Sequence, residues 1–181
     1  MHLDKILEEH HWRRDIAGDH DFDAAIAALE KMLETGKGLI VSGGYGAGKT
    51  SFCEVLCEVL KPYVRRFNLA LEPELEKLTP EYQEYFAFNP FEEHVFLDDL
   101  GSEKTVNEYG IRSEIAADFI SKYHYLKNPE RRLIISTNLT TAELDERYGG
   151  RVLSRLKDLC VPLRFTGKDK RQWTRRVKSE K

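Results

Sequence analysis

An α/β fold built on a parallel sheet is predicted by three features of the chain. Short strand-like runs recur at residues 39–42, 64–70, 94–101, 132–139 and 160–165, all but the second of them mainly apolar. Helical periodicity lies between several of these runs, giving at least one β-α-β unit. The first run also ends in a glycine-rich loop that breaks directly into a helical pattern.

That loop, Gly43-Gly44-Tyr45-Gly46-Ala47-Gly48-Lys49-Thr50, follows Leu39-Ile40-Val41-Ser42 and precedes Phe52, Val55, Leu56, Val59 and Leu60. Strand, glycine loop and helix in this order make a P-loop. A triphosphate needs several backbone N–H groups turned inward together, which Gly43, Gly44, Gly46 and Gly48 allow without a Cβ clash. The helix opening at Lys49 adds unpaired N–H groups and the positive end of its dipole. Lys49 is expected to reach the β- and γ-phosphates, and the Thr50 hydroxyl to ligate Mg²⁺. The expected binding set for ATP with Mg²⁺ is Gly43, Gly44, Gly46, Ala47, Gly48, Lys49, Thr50 and Ser51.

Composition bounds the rest. A chain of 181 residues suits one domain with a sizeable core. A net charge of −3 excludes a generally basic nucleic-acid coat and leaves only a local patch for such contacts. No apolar run approaches the roughly 20 residues of a membrane span, and the start, Met1 to Arg14, is charged and His-rich rather than signal-like, so a cytoplasmic protein is expected. Three cysteines argue against a disulfide framework, and Cys53 and Cys57, one helical turn apart, read as buried free thiols. His2, His10, His11 and His20 are too irregular for a metal site and read as a solvated face.

In chain order, residues 1–20 carry a short amphipathic pattern (Leu3, Ile6, Leu7, then Trp12 and Ile16). Asp19 or Asp21 is placed to cap a helix through Phe22, Ile26, Leu29, Met32 and Leu33, which Gly36-Lys37-Gly38 ends. After the P-loop helix Pro62 breaks the pattern, and Val64–Ala70 reads as the second strand. The acidic, aromatic stretch from Glu72 to Pro90, with Thr79-Pro80 starting a helix, reads as a packed crossover.

His94–Gly101 reads as an apolar strand ending in two acids. Buried carboxylates are costly unless they face a cation, so Asp98 is expected on the Mg²⁺ side of the phosphates and Asp99 as the base that orients an attacking water. A loop with Lys104, Asn107, Tyr109 and Gly110 leads to a helix over Ile111, Ile115, Ala116, Phe119, Ile120 and Tyr123, stopped by Asn128-Pro129. The strand Arg132–Leu139 ends in Ser136-Thr137-Asn138, placing Asn138 at the edge where ligands of open α/β sheets sit. Arg147, Arg151 and Arg155 follow at spacings of four, one helical face if Gly149-Gly150 permits; such a face can form salt bridges or complement phosphate charge. After the last strand, Cys160–Phe165, the tail holds Lys168, Lys170, Arg171, Trp173, Arg175, Arg176, Lys178 and Lys181, a composition fitting either a phosphate backbone or a solubilising end.

The P-loop, Leu97-Asp98-Asp99-Leu100-Gly101, Ser136-Thr137-Asn138-Leu139 and Arg151-Val152-Leu153-Ser154-Arg155-Leu156, in that order, resemble the DnaC/IstB-like branch of the AAA+ ATPases, helicase loaders and transposition helpers, over residues from about 20 to 172. The resemblance implies that Gly43–Thr50 is Walker A, Asp98 and Asp99 Walker B, and Asn138 sensor 1. It implies that Arg155 is an arginine finger reaching a neighbouring subunit's ATP, with Arg151 as helper. It also implies a five-stranded parallel sheet in the order 5-1-4-3-2, and ATP-driven assembly on single-stranded DNA or with a helicase or transposase. On this pattern residues 1–20 are a short N-terminal segment, 21–167 the ATPase core and 168–181 a basic tail. The N-terminal partner-binding region is shorter than the family's, and no helical lid is expected after Phe165, leaving Arg171 as a candidate for the sensor 2 role. Two alternatives are a P-loop small-molecule kinase and a non-hydrolysing nucleotide-gated adaptor. Asp98, Asp99 and Asn138 together suit water activation better than either.

Overall fold

Five strands lie side by side in parallel in the computed structural model. It describes residues 3–9, 12–13, 17–60, 64–71, 94–103, 106–108, 111–113, 115–126, 131–167 and 169, with backbone alone at 106–108 and 111–113. Along the chain the elements are α1 (Leu3–Glu9), α2 (Asp19–Thr35), β1 (Gly38–Gly43), α3 (Lys49–Val59), β2 (Val64–Asn68), β3 (His94–Leu100), β4 (Val106–Glu108), β5 (Ile111–Ser113), α4 (Ile115–Leu126), β6 (Arg132–Thr137), α5 (Thr141–Tyr148), α6 (Gly150–Leu159) and β7 (Cys160–Phe165). The expected crossover at 72–90, the histidines at 2, 10 and 11, and the tail apart from Asp169 lie outside the described residues.

The sheet runs β2-β3-β6-β1-β7. Counting only these five strands, this is 2-3-4-1-5, the order implied by the resemblance read from the other edge. Every pairing is parallel, with Leu39 opposite Ile134 and Val161, and Phe67 opposite Leu97, so the carboxyl ends of all strands share one edge. Side chains alternate across it with period two. Leu39, Val41, Phe96 and Ile134 join α1, α2 and α3 on one face, while Val95, Leu97, Leu133 and Ile135 join α4 and α6 on the other. On the first face Trp12 fills the space between Phe22, Phe52 and Phe165, with ring centroids 5.4, 4.7 and 5.8 Å away.

Several local expectations are met. Gly36 ends α2 in the left-handed region (φ 71°), and α3 opens at Lys49. Thr140 caps α5 by accepting from the Glu143 N–H, while the Glu143 carboxylate accepts from the Thr140 N–H at 2.7 Å.

Three expectations are corrected. Neither Asp19 nor Asp21 caps α2: Gly18 stands at the N-cap without a side-chain bond, and both acids lie inside the first turn. Asp21 is instead buried, accepting from the N–H groups of Thr166 (2.9 Å) and Gly167 (3.0 Å) and the Thr166 hydroxyl (3.2 Å). A tertiary acceptor has displaced a local one. Ile111 belongs to no helix, because Val106–Glu108 and Ile111–Ser113 pair antiparallel, satisfying each other's backbone groups, and α4 begins only at Ile115. The arginine face is also broken: Gly149 (φ 80°, ψ 158°) leaves the helical region, so Arg147 belongs to α5 and Arg151 and Arg155 to α6.

Asp21 thus ties the first long helix to the segment leaving the last strand, and its removal leaves buried donors unsatisfied. Asp21→Ala is expected to lower the unfolding free energy by about 1–3 kcal/mol, read from urea unfolding; an unchanged midpoint would contradict the clasp.

Candidate functional site

At the carboxyl edge of the sheet the loop after β1 wraps the start of α3. Gly46 and Gly48 have φ of 73° and 93°, a region costly for any side chain, and Gly43 combines φ 152° with a close approach of the Phe165 carbonyl, 2.6 Å from where its Cβ would stand. Gly44 differs from the expectation for all four glycines: its φ lies outside that region, and a Cβ there would meet nothing within 4 Å. Ala47 is buried and Ser51 exposed. Gly48, as N-cap, brings no side chain to the first N–H groups of α3, which keeps them available to an anion.

Lys49 is buried and folded back over the loop. Its Nζ donates to the carbonyls of Gly43 and Gly44, each at 2.8 Å, and to Asn138 Oδ1 at 2.7 Å. Asn138 sits just past the end of β6, and its Nδ2 donates to Asp99 Oδ1 at 3.4 Å. The P-loop lysine and the second acid are therefore joined through one amide.

The two acids owe their different settings to a bulge. Leu97 pairs with Ile135 and Leu100 with Thr137, so β3 carries one residue more than β6 across Asp98 and Asp99. Asp99 takes up the excess at φ 61°, the sole non-glycine in the left-handed region among the described residues. Its N–H donates to Ser136 Oγ at 2.8 Å, and the same hydroxyl donates to Asp98 Oδ1 at 2.5 Å. Thr50 Oγ1 donates to that oxygen as well, at 3.0 Å. Asp98 is 1% exposed, whereas Asp99 is half-buried at the sheet edge. A buried carboxylate beside a hydroxyl supplies hard oxygen donors of the kind Mg²⁺ takes, and the described residues contain no closed cluster of three or more metal-ligating side chains. That donor set fits an ion held by Thr50 and Asp98 together with substrate oxygens and water.

Three further residues belong to the site and were not singled out for it from the sequence. Ser136 carries the bulge and orients Asp98. Arg66 of β2 donates from Nη2 to Asp98 Oδ2 at 2.6 Å and from Nη1 to Glu54 Oε1 at 2.5 Å. Burial opposes its charge, but the hydrogen bonds to Asp98 and Glu54 outweigh that and hold the guanidinium above its ordinary range. Asp169 brings a carboxylate onto the P-loop, its Oδ1 1.8 Å from where a Cβ on Gly46 would stand. The signal for Arg66 is a basic residue inside a strand whose parallel neighbour ends in acids; for Asp169 the sequence offers none.

Arg155 is not part of this network. Half-buried on α6, it donates from Nη1 to Ser121 Oγ of α4, while Arg151 is exposed. Arg147 donates to the Glu103 carbonyl, and with Tyr148 it fixes the turn after β3. No described helix is long and apolar enough to cross a membrane.

No protein-family model and no curated protein matches the chain. Solved structures share its fold. The DnaC helicase loader is similar over 81% of this chain and 90% of its own, with a TM-score of 0.57 and 21% identity. DnaA from Aquifex aeolicus bound to AMPPCP is similar over 91% of this chain and 52% of its own (TM-score 0.52, 16% identity). A replication initiator DnaA bound to AMPPCP and single-stranded DNA is similar over 87% and 50% (TM-score 0.53, 15% identity). The chain thus spans about half the length of the DnaA chains and most of the DnaC chain. What these likenesses show is a shared fold.

The three cysteines are free, as expected; of the two on α3, Cys53 is buried as expected and Cys57 only half-buried, while Cys160 is buried at the start of β7. Burial pushes the Cys57 thiol up to about 12 against the pull of Arg66, so its thiolate fraction should climb about tenfold per pH unit through pH 10. Alkylation of the native protein is expected to be slow, confined to Cys57, and still rising at pH 10. A plateau near pH 9 would show that the thiol is not held by the packing described.

Proposed function

We propose that this chain is an AAA+ ATPase of the DnaC/IstB type, which binds and hydrolyses ATP and acts in DNA replication or transposition by ATP-dependent assembly on single-stranded DNA or a helicase or transposase partner. The observation that carries the reading is the connected set Lys49, Asn138 and Asp99 beside Thr50 and Asp98, at the mouth of a loop whose backbone suits phosphates. The likeness in fold to the DnaC helicase loader and to DnaA solved with AMPPCP supports it.

In this reading the P-loop N–H groups and the first turn of α3 take the triphosphate. Lys49 exchanges its bonds to Gly43, Gly44 and Asn138 for phosphate oxygens, and the Asp169 carboxylate gives way to the incoming charge. Thr50 and Asp98 would hold the Mg²⁺ expected with ATP, which would supply charge neutralisation for the phosphates. Asp99, half-exposed and aimed by the bulge, accepts a hydrogen bond from the attacking water and aligns it. Asn138, released by Lys49, contacts the γ-phosphate and ties its presence to the position of Asp99.

In this reading the charge that develops at the γ-phosphate calls for a further cation beside Lys49, supplied across a subunit boundary. Arg155 supplies it to the neighbouring subunit after leaving Ser121, with Arg151 beside it, so turnover depends on assembly. The basic residues Lys168 to Lys181, with Trp173 among them, form the DNA contact of this reading.

The test separates binding from turnover. Lys49→Ala should lose ATP affinity outright. Arg155→Ala should bind a fluorescent ATP analogue as the native protein does, yet lose roughly 10³ to 10⁵ in assembled turnover. Parallel losses of binding and turnover in Arg155→Ala would contradict a role in trans.

A further inference from the structure

The strand register puts a permanent cation beside the metal-side acid. Arg66 is opposite Phe96 in the β2–β3 ladder, and Asp98, two residues further along β3, projects from the same face. The guanidinium lies 5.2 Å from the centre of the Phe96 ring and reaches forward to Asp98 Oδ2. Its second nitrogen is anchored on Glu54 of α3, so the group is held from both sides. The pair is asymmetric: the Asp98 side chain is 2% exposed and that of Arg66 41%.

Both oxygens of Asp98 are therefore committed. Oδ1 accepts from Ser136 and Thr50, and Oδ2 is neutralised by Arg66. We propose that Arg66 is a positioning residue that acts as a counter-ion for Asp98, denying its free charge to a divalent cation until phosphates bring negative charge to the loop. The divalent ion then enters with the nucleotide, not ahead of it. Glu54 draws part of the guanidinium's charge outward, which keeps the hold on Asp98 reversible. The inference rests on the nucleotide reading above, but its main readout does not use nucleotide.

Mn²⁺ serves as the probe, its binding followed by electron paramagnetic resonance on the full chain without nucleotide. Arg66→Gln should bind Mn²⁺ about tenfold more tightly than the native protein, and Arg66→Lys, which keeps the charge, should return to the native value. Equal Mn²⁺ affinity in native and Arg66→Gln protein of unchanged circular dichroism would overturn the proposal. If Arg66→Gln fails to fold, Glu54→Gln provides the second arm: with the guanidinium left wholly to Asp98, Mn²⁺ binding should weaken, and unchanged or tighter binding would count against the counter-ion. Native protein that takes up no fluorescent ATP analogue with Mg²⁺ present would instead defeat the nucleotide reading, whatever the Mn²⁺ result.

Discussion

The structure turns on how one buried carboxylate is satisfied. Asp98 is nearly withdrawn from water, and an ionised acid in that position is tolerated only with charge and hydrogen-bond partners around it. Its partners come from three other elements: Thr50 from the P-loop helix, Ser136 from β6 and Arg66 from β2. The two strand contacts depend on the sheet order, since β3 must lie between β2 and β6 for Arg66 and Ser136 to approach Asp98 from opposite sides. The parallel topology and the chemistry of the site are thus one constraint seen at two scales.

The bulge after Leu97 is the second consequence. A regular strand would send Asp98 and Asp99 to opposite faces of the sheet. The extra residue lets Asp98 stay buried against α3 while Asp99 stands at the edge within reach of Asn138. The left-handed backbone at Asp99 costs about 1–3 kcal/mol, offset in part by the hydrogen bond from its N–H to Ser136. Ser136 thereby links strain in one acid to the orientation of the other.

Much of this is legible in the sequence where the signal is local. The glycine loop, the apolar runs and their terminal acids identify the strands, α3 and the residues Lys49, Thr50, Asp98, Asp99 and Asn138, because loop, strand and helix patterns span only a few residues each. What is not legible depends on register or distance. The role of Arg66 needs the pairing of β2 with β3, and that of Asp21 a partner 145 residues away at Thr166. The break between Arg147 and Arg151 turns on the backbone at Gly149, which a spacing of four cannot reveal. Gly44 shows the converse error, since a glycine in a glycine-rich motif need not be there for its backbone.

In the function proposed above, this edge of the sheet hydrolyses ATP once subunits meet. Steady-state hydrolysis measured over a series of protein concentrations, with and without single-stranded DNA, tests it most directly. Specific activity that climbs with concentration and climbs further with DNA is the result expected of a site completed in trans and coupled to DNA. A specific activity that is independent of both would contradict it.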